Sequence, residues 1–175
     1  MLPAVIRTLK LLLPKFYTNN HMKHLKLIAF LIALSFITIS CDSTRTALFD
    51  PYSYQKTTEI KVEAIKIMDK AATPYQNHKQ EVEALFLEIE KLQEYEKNKP
   101  NNEITFAMWQ VLSNKEKNLL AGFFKRWESK EVLSPLFIDE SKKQILSALD
   151  LLIQYEINKD KESKEQLLEL INLNS

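Results

Sequence analysis

His78 is the only histidine in the chain after residue 41. A metal site built from several histidines is therefore excluded from that part of the sequence. A Ser–His–Asp arrangement that uses His78 stays open by spacing alone, but no nucleophile-elbow sequence accompanies it. Because His78 falls on the apolar stripe of a predicted helix, we expect a partly buried imidazole with satisfied hydrogen bonds.

Six glutamates between residues 81 and 96 offer a second kind of chemistry. Two helices that oppose carboxylates can hold a metal ion or perform acid–base catalysis. Lysines at 79, 91 and 97 are interleaved with these glutamates, which is typical of a solvated helix face, so we expect no metal and no other cofactor. The six are Glu81, Glu83, Glu88, Glu90, Glu94 and Glu96.

The run Phe123-Phe124-Lys125-Arg126-Trp127 interleaves aromatic rings with positive charge. Such a run can stack on nucleic-acid bases or lie at a membrane interface. On a helix, however, Phe123 and Trp127 share one face while Lys125 points elsewhere. We therefore interpret the aromatic residues as core and Arg126 as a snorkelling side chain.

Charge is distributed unevenly along the chain. Residues 1–41 contain five basic residues and no acidic residue, whereas the remainder has 19 Lys and Arg against 23 Asp and Glu, a net charge of −4. That net charge disfavours a nucleic-acid partner. Gly122 is the only glycine, which excludes the glycine-rich loops that cradle phosphates.

An apolar run from Leu27 to Ile39 follows the basic leader, which is the pattern of an export signal. As a helix, its 13 residues span about 20 Å, which is less than the ~30 Å hydrocarbon core of a bilayer. A cleaved signal peptide therefore fits better than a permanent membrane anchor, which is the alternative.

The end of the apolar run, Ile37-Thr38-Ile39-Ser40-Cys41, resembles a bacterial lipobox, in which small or aliphatic residues precede an obligatory cysteine. The resemblance implies cleavage between Ser40 and Cys41 and a diacylglyceryl thioether on Cys41. It often implies a further acyl chain, such as palmitate, on the new amino terminus. Cys41 is the only cysteine, so an intrachain disulfide is impossible. We expect a lipoprotein attached to the bacterial membrane through Cys41, facing the periplasm or the exterior.

The segment in front of Met22 is longer than a signal peptide requires, because Met22-Lys23-His24-Leu25-Lys26 is by itself a compact basic start. We interpret residues 1–21 as an upstream extension from a misassigned start, and residues 22–40 as the signal peptide. The rival interpretation is an amphipathic extension that lies on the membrane surface.

Residues 41–56 are predicted to be the lipidated cysteine and a tether, and residues 57–175 the helical domain. The 15 tether residues after Cys41 show no helical period and reach at most about 50 Å. Phe49, Tyr52 and Tyr54 either touch lipid headgroups or pack the tether onto the domain, and we favour packing.

The domain is predicted to be all-α, a bundle of five or six helices. It has no hairpin signal and no sustained alternation of apolar and polar residues. We expect a first helix from Thr58 to about Ala72. Thr73-Pro74 is expected to cap a second helix that ends near Asn98. The inward positions of the first helix are Ile60, Ala64, Ile67, Met68 and Ala71, and those of the second are Tyr75, His78, Val82, Leu85, Ile89 and Leu92.

Further helices are expected after Asn102, after a capping box at residues 113–116, and after Ser134-Pro135. The last apolar segment either continues the fifth helix or forms a sixth after Asp160. The inward positions are Ile104, Met108 and Val111, then Leu119, Leu120, Phe123, Phe124 and Trp127, then Ile138, Ile145, Leu149, Leu152 and Ile153.

Two classes of function fit this sequence. The first is a lipid-anchored binding or interaction module of the cell envelope with a protein partner, and the second is a carboxylate-based envelope enzyme such as a hydrolase. We favour the first and assign no catalytic residue. Convergent glutamates in a deep pocket would favour the enzyme, and an exposed apolar groove would favour the binder. The C-terminal segment is the predicted partner surface, with Leu167, Leu168, Leu170, Ile171 and Leu173.

Overall fold

The computed structural model describes residues 46–174, and the predicted all-α fold is confirmed for them. They contain six α-helices, one short 3-10 turn and no strand. The predicted upstream extension, the signal peptide, Ser40 and Cys41 lie outside the described residues. Within residues 46–174, no helix is long and apolar enough to cross a membrane. The helices are α1 (Pro51–Met68), α2 (Lys79–Lys97), α3 (Glu103–Leu112), α4 (Leu120–Lys130), α5 (Pro135–Asn158) and α6 (Lys161–Leu173).

Helix α1 begins seven residues earlier than expected, so the predicted start at Thr58 is wrong. The carboxylate of Asp50 caps the helix by accepting a hydrogen bond from the Tyr52 N–H at 2.9 Å, and Pro51 occupies the first turn. The apolar pattern does not reveal the first turns of α1, because their inward residues, Ser53 and Thr57, are polar. Residues 46–56 therefore belong to the folded domain and not to a tether.

The apolar stripe of the second helix is confirmed, but its predicted cap is wrong. Tyr75 lies in a separate 3-10 turn, and α2 starts only at Lys79. Thr73 does not cap it, because its hydroxyl donates to the Lys70 carbonyl at 2.7 Å. The side chains of α2 that fill the core are Val82, Leu85, Ile89 and Leu92.

The predicted capping box at residues 113–116 is also wrong. These residues form turns before α4, in which the Asn114 side chain accepts a hydrogen bond from the Glu116 N–H at 2.9 Å. The turn then passes so close to the helix that a Cβ at Gly122 would lie 1.8 Å from the Lys117 carbonyl oxygen. The single glycine of the chain is therefore required for close approach of two backbone segments.

We expect Gly122→Ala to lower the free energy of unfolding by roughly 1–3 kcal/mol, because the added methyl group forces the backbone at Lys117 away from α4. Urea denaturation followed by circular dichroism measures the change. Glu128→Ala, an exposed substitution on the same helix, serves as the control and should leave stability nearly unchanged. An unchanged midpoint for Gly122→Ala would contradict the close approach.

The start of α5 is confirmed, and the last apolar segment is a separate helix. Ser134 caps α5 and Pro135 follows it. Lys159 ends α5 in a left-handed conformation with φ of 50°, and Asp160 caps α6 by accepting from the Ser163 N–H at 2.8 Å. The predicted inward residues of α5 are buried, apart from the partly buried Ile153.

The helices enclose one core. Helix α1 packs against α2 and α5, α5 also packs against α6, and α3 packs against α2 and α6. Helix α4 packs next to the 3-10 turn. The largest fully buried side chains include Trp109, Trp127, Tyr155, Ile60, Met68, Leu85 and Met108.

Candidate functional site

The start of α1, the ends of α2 and α5 and the start of α3 meet at one end of the bundle, where the chain from residue 46 joins the domain. Ala47 is buried there and its N–H donates to the Asn101 carbonyl at 2.9 Å. Asp50 Oδ2 accepts hydrogen bonds from the Tyr95 hydroxyl at 2.7 Å and the Ser53 hydroxyl at 3.1 Å. Residues 46–50 are therefore bonded to α1, α2 and the segment between α2 and α3.

The carboxylate of Asp50 is also 3.2 Å from the ammonium of Lys99. Partial burial by itself raises the pKa of Asp50, but the hydrogen bonds from Tyr95, Lys99 and the Tyr52 N–H outweigh that effect and lower the pKa to about 2. The same hydrogen bond is the main reason that the pKa of Tyr95 is raised to about 12. Asp50 is thus a charged anchor at neutral pH.

We expect Asp50→Asn to lower the free energy of unfolding by roughly 1–2 kcal/mol at pH 7, because charged hydrogen bonds are lost while a capping side chain is kept. The folded-state pKa lies below the ordinary value of 3.8, so the contribution is present above pH 3.8 and is lost as the pH falls towards 2. Denaturation at several pH values should show the two proteins converging in acid. The exposed Asp139→Asn is the control, and a difference that stays constant with pH would argue against this role of Asp50.

Two glutamates are buried inside this end of the bundle. Glu156 is inaccessible to solvent, and its Oε1 lies 2.7 Å from the ammonium of Lys159 and also accepts a hydrogen bond from the Thr105 hydroxyl. Its Oε2 is 4.0 Å from the Lys99 ammonium. Burial lowers the pKa of Lys159, and the neighbouring Glu156 opposes that shift. The Lys159 ammonium also lies over the Tyr155 ring, 4.5 Å from its centre.

The second buried glutamate is Glu96, which is 1% exposed. Its Oε2 accepts a hydrogen bond from the Asn102 amide at 2.5 Å and lies 3.2 Å from the Lys99 ammonium. Lys99 also donates to the Ser53 hydroxyl at 2.8 Å. Together, Asp50, Glu96, Lys99, Glu156 and Lys159 form what we call the charge cluster, with three carboxylates and two ammonium groups.

The charge cluster holds its glutamates in fixed positions. One oxygen of each glutamate is bound by a lysine and by an amide or hydroxyl group, as a buried charge requires, whereas Glu96 Oε1 and Glu156 Oε2 have no hydrogen-bond partner among the described residues. Neither Glu96 nor Glu156 lines any of the surface grooves described for residues 46–174. The arrangement therefore joins α2, α3 and α5 electrostatically, with both glutamate side chains inaccessible to solvent.

The surface beside the charge cluster is apolar and aromatic. Leu48, Phe49, Tyr52, Tyr54 and Tyr95 are exposed by 87, 50, 44, 37 and 40% respectively, and we call them the aromatic patch. The Tyr52 and Tyr95 rings are in contact, with centres 4.7 Å apart, and the Phe49 and Tyr54 ring centres are 6.2 Å apart. These aromatic residues therefore pack onto the domain with one part of each ring, as expected, and expose the other part to solvent.

A groove with a volume of about 510 Å³ lies between α2, α4 and the turn at residues 113–115. Its floor is apolar: the rings of Phe86 and Phe124 meet edge to face with centres 5.7 Å apart. Leu87 lies on its rim and is 51% exposed. Charged residues of both signs surround the floor, namely Glu83, Glu90, Lys115, Lys125 and Glu128.

His78 is a partly buried imidazole with hydrogen bonds on both ring nitrogens, as predicted. Its Nε2 is 2.9 Å from the Thr73 hydroxyl and its Nδ1 is 3.0 Å from the Glu81 carboxylate. The ring also packs beside Trp127, with centres 5.6 Å apart. These three contacts account for the position and orientation of the His78 ring.

The acidic face of α2 is solvated as predicted for five of its six glutamates. Glu81 interacts with Lys70, Glu88 with Lys91, and Glu83 and Glu94 with lysines on the same helix. Glu90 is exposed beside the groove, and Glu96, predicted to be on the same face, lies in the core. Among the described residues, no group of three or more His, Cys, Asp or Glu side chains could hold a metal ion.

The aromatic run in α4 is core, as predicted. Phe123, Phe124 and Trp127 are buried, and the indole N–H of Trp127 donates to the carbonyls of Thr73 at 2.9 Å and Glu131 at 3.0 Å. The Arg126 guanidinium lies 4.5 Å from the centre of the Phe137 ring. No surface of alternating rings and cations forms in this helix.

The predicted partner surface on α6 is divided between core and exterior. Leu167 and Ile171 are buried in the core, Leu168 and Leu170 are partly buried, and Leu173 is 77% exposed. Most of the apolar excess of this segment is therefore used to pack α6 on α3 and α5. Only Leu173 is freely available to a partner.

The two buried glutamates of the charge cluster carry a signal in the sequence. Glu96 continues the spacing of Ile89 and Leu92, and Glu156 continues that of Leu149 and Leu152. Both glutamates thus occupy the next inward position of their helix. A charged residue at an inward position of an amphipathic helix is thus the sequence pattern that indicates a buried ion pair.

The comparisons with known proteins add no relative. The chain matches no protein-family model, no curated protein and no solved structure.

Proposed function

We propose that this chain is a lipid-anchored protein of the bacterial cell envelope, attached to the membrane through Cys41. Its helical domain works as an interaction module that binds a protein partner and faces the periplasm or the exterior. No cofactor takes part in this function. The lipobox-like sequence ending at Ser40-Cys41 supports the anchor. The groove between α2 and α4, with its apolar floor and charged rim, supports the module.

The groove between α2 and α4 is the observation that carries the interaction module. It has an apolar floor, formed in part by Phe86 and Phe124, and a rim that carries charges of both signs. Protein-binding surfaces combine such an apolar centre with a polar rim. An apolar side chain of a partner would find hydrophobic contact on the floor and ionic partners at the edge.

The alternative function, a carboxylate-based hydrolase, has less support. General acid–base catalysis needs a carboxyl group within hydrogen-bonding reach of the substrate. The two buried glutamates that converge, Glu96 and Glu156, are bound to lysines and are inaccessible to solvent. Among the other glutamates of α2, Glu83 and Glu90 border the groove between α2 and α4, where Glu83 is paired with Lys79 and the floor is apolar.

The anchor is tested by fatty-acid labelling and fractionation of cells that express the full chain. We expect label on the wild-type protein in the membrane fraction. Cys41→Ser should lose the label and accumulate as unprocessed precursor, whereas Ser43→Ala, a neighbouring change that keeps the cysteine, should be labelled normally. Labelling that persists in Cys41→Ser would refute the anchor. A chain that starts at Met22 should be labelled and localised as the full chain is.

The interaction module is tested by placing a photo-crosslinking amino acid at Leu87 on the rim of the groove. Irradiation of native membranes should give a discrete adduct, because the probe lies at the edge of the apolar floor. The control probe replaces Leu136, which is 73% exposed and does not line the groove. Equal adducts from both positions, or none from Leu87, would count against the groove as the binding surface.

A further inference from the structure

We propose that the aromatic patch rests in the lipid headgroup region of the membrane and orients the domain on the bilayer. The patch comprises Leu48, Phe49, Tyr52, Tyr54 and Tyr95, beside the charge cluster. This inference rests on the lipid anchor at Cys41 given under Proposed function, and it adds a second, non-covalent contact with the same membrane.

The first argument is the composition and exposure of the patch. Leu48 is 87% exposed and Phe49 is 50% exposed, Tyr54 lies beside Phe49, and Tyr52 and Tyr95 are in contact with each other. Tyrosine is enriched at membrane–water interfaces because its ring is apolar and its hydroxyl stays hydrated. An exposed leucine and phenylalanine together with exposed tyrosines is the side-chain composition that a headgroup region accommodates.

The second argument is the direction in which the patch points. Tyr52 and Tyr54 lie in the first turn of α1, on either side of the buried Ser53. Side chains of a helix lean towards its N-terminus, so both rings lean towards the segment that leads back to Cys41. The patch therefore lies at the end of α1 from which the chain leads back to Cys41.

The third argument is the short distance to the proposed anchor. The folded domain starts at Thr46, only five residues after Cys41, so the connection spans at most ~18 Å instead of the ~50 Å of the predicted tether. Leu48 is seven residues from Cys41 and lies within ~25 Å of it along the chain. This end of the domain cannot move far from the bilayer.

The fourth argument is that the segment carrying the patch is hydrogen-bonded to the domain and that the one carboxylate in it is paired. Asp50, which lies among its members, is bonded to Tyr95 and is 3.2 Å from the Lys99 ammonium. Ala47 is held to Asn101 by a backbone hydrogen bond. The contact therefore requires neither folding of the segment nor transfer of an isolated carboxylate into the headgroup region.

The experiment uses the full processed protein in vesicles of phosphatidylethanolamine and phosphatidylglycerol. Cys41 is the only cysteine, so Leu48→Cys introduces a single free thiol for a polarity-sensitive fluorophore once Cys41 is lipidated. We expect a blue shift and strong quenching by headgroup spin-labelled lipid. Leu136→Cys is the matched control, exposed by 73% against 87% for Leu48 and distant from the patch in sequence, and its emission should stay that of a water-exposed dye.

A second variant tests the apolar contact itself. Phe49→Ser in the Leu48→Cys background should reduce the blue shift and the quenching while the circular dichroism spectrum is unchanged, because Phe49 is half exposed. Emission at position 48 that equals the control at 136, in protein that floats with the vesicles, would overturn the patch and leave the anchor intact. A shift that grows with protein density at constant lipid would indicate a second copy on the patch, and would also overturn the inference.

Failure of the anchor gives a different result. If Cys41 is not lipidated, the wild-type protein itself takes up the thiol-reactive fluorophore, whether or not it floats with the vesicles. That outcome overturns the lipid anchor, and the present inference falls with it.

Discussion

Replacing Lys159 with methionine is expected to lower the free energy of unfolding by about 3–5 kcal/mol, because the Glu156 carboxylate then stays buried without its nearest cation. The side chain of Lys159 is only 8% exposed, so water cannot take the place of the ammonium. Methionine keeps the length and most of the apolar stem of the lysine. The loss of stability is therefore electrostatic. Urea denaturation of residues 46–175, which form one compact unit, measures it.

Two variants make the test of the buried pair specific. Lys161→Met removes an ammonium that is 87% exposed and should leave stability nearly unchanged. In the Lys159→Met background, Glu156→Gln removes the charge that has lost its partner and should restore part of the stability. If Lys159→Met were as stable as Lys161→Met, Glu156 would not be buried as described.

Trp127→Ala is expected to lower the free energy of unfolding by about 3–5 kcal/mol, the usual cost of removing a buried tryptophan from a core. The ring packs edge to face on Tyr75, with centres 5.4 Å apart, and its N–H bonds to two backbone carbonyls. Those carbonyls belong to Thr73 and Glu131, so the indole joins the segment before α2 to the end of α4. Its removal should loosen both connections.

A matched pair of tryptophans separates packing from hydrogen bonding. Trp109 is as buried as Trp127, but its indole nitrogen has no hydrogen-bond partner among the described residues. Trp127→Phe should therefore destabilise the domain more than Trp109→Phe, by roughly 1–2 kcal/mol for the carbonyls left unpaired. Equal losses in the two variants would mean that the indole hydrogen bonds contribute nothing.

The apolar stripes of the helices could be predicted from the sequence, but several helix starts could not. The inward residues of α2, α4 and α5 follow the helical period, and burying them is the largest favourable term in folding. A helix cap depends on a single hydrogen bond, and the residue types that cap helices also form turns, so a helix start is harder to predict than an apolar stripe. Ser113-Asn114-Lys115-Glu116 accordingly forms a turn, whereas Asp50-Pro51 begins a helix.

The sequence alone therefore determined the all-α fold and the position of most core residues, because both follow from the spacing of apolar residues along each helix. Only the tertiary structure decided that polar inward residues of four helices meet at one end of the bundle: Ser53, Glu96, Thr105 and Glu156. From the sequence alone, a polar residue on an otherwise apolar stripe can face either solvent or a buried hydrogen-bonding partner. The partners here, Lys99 and Lys159, are brought together from the ends of α2 and α5, and that meeting depends on how the helices pack.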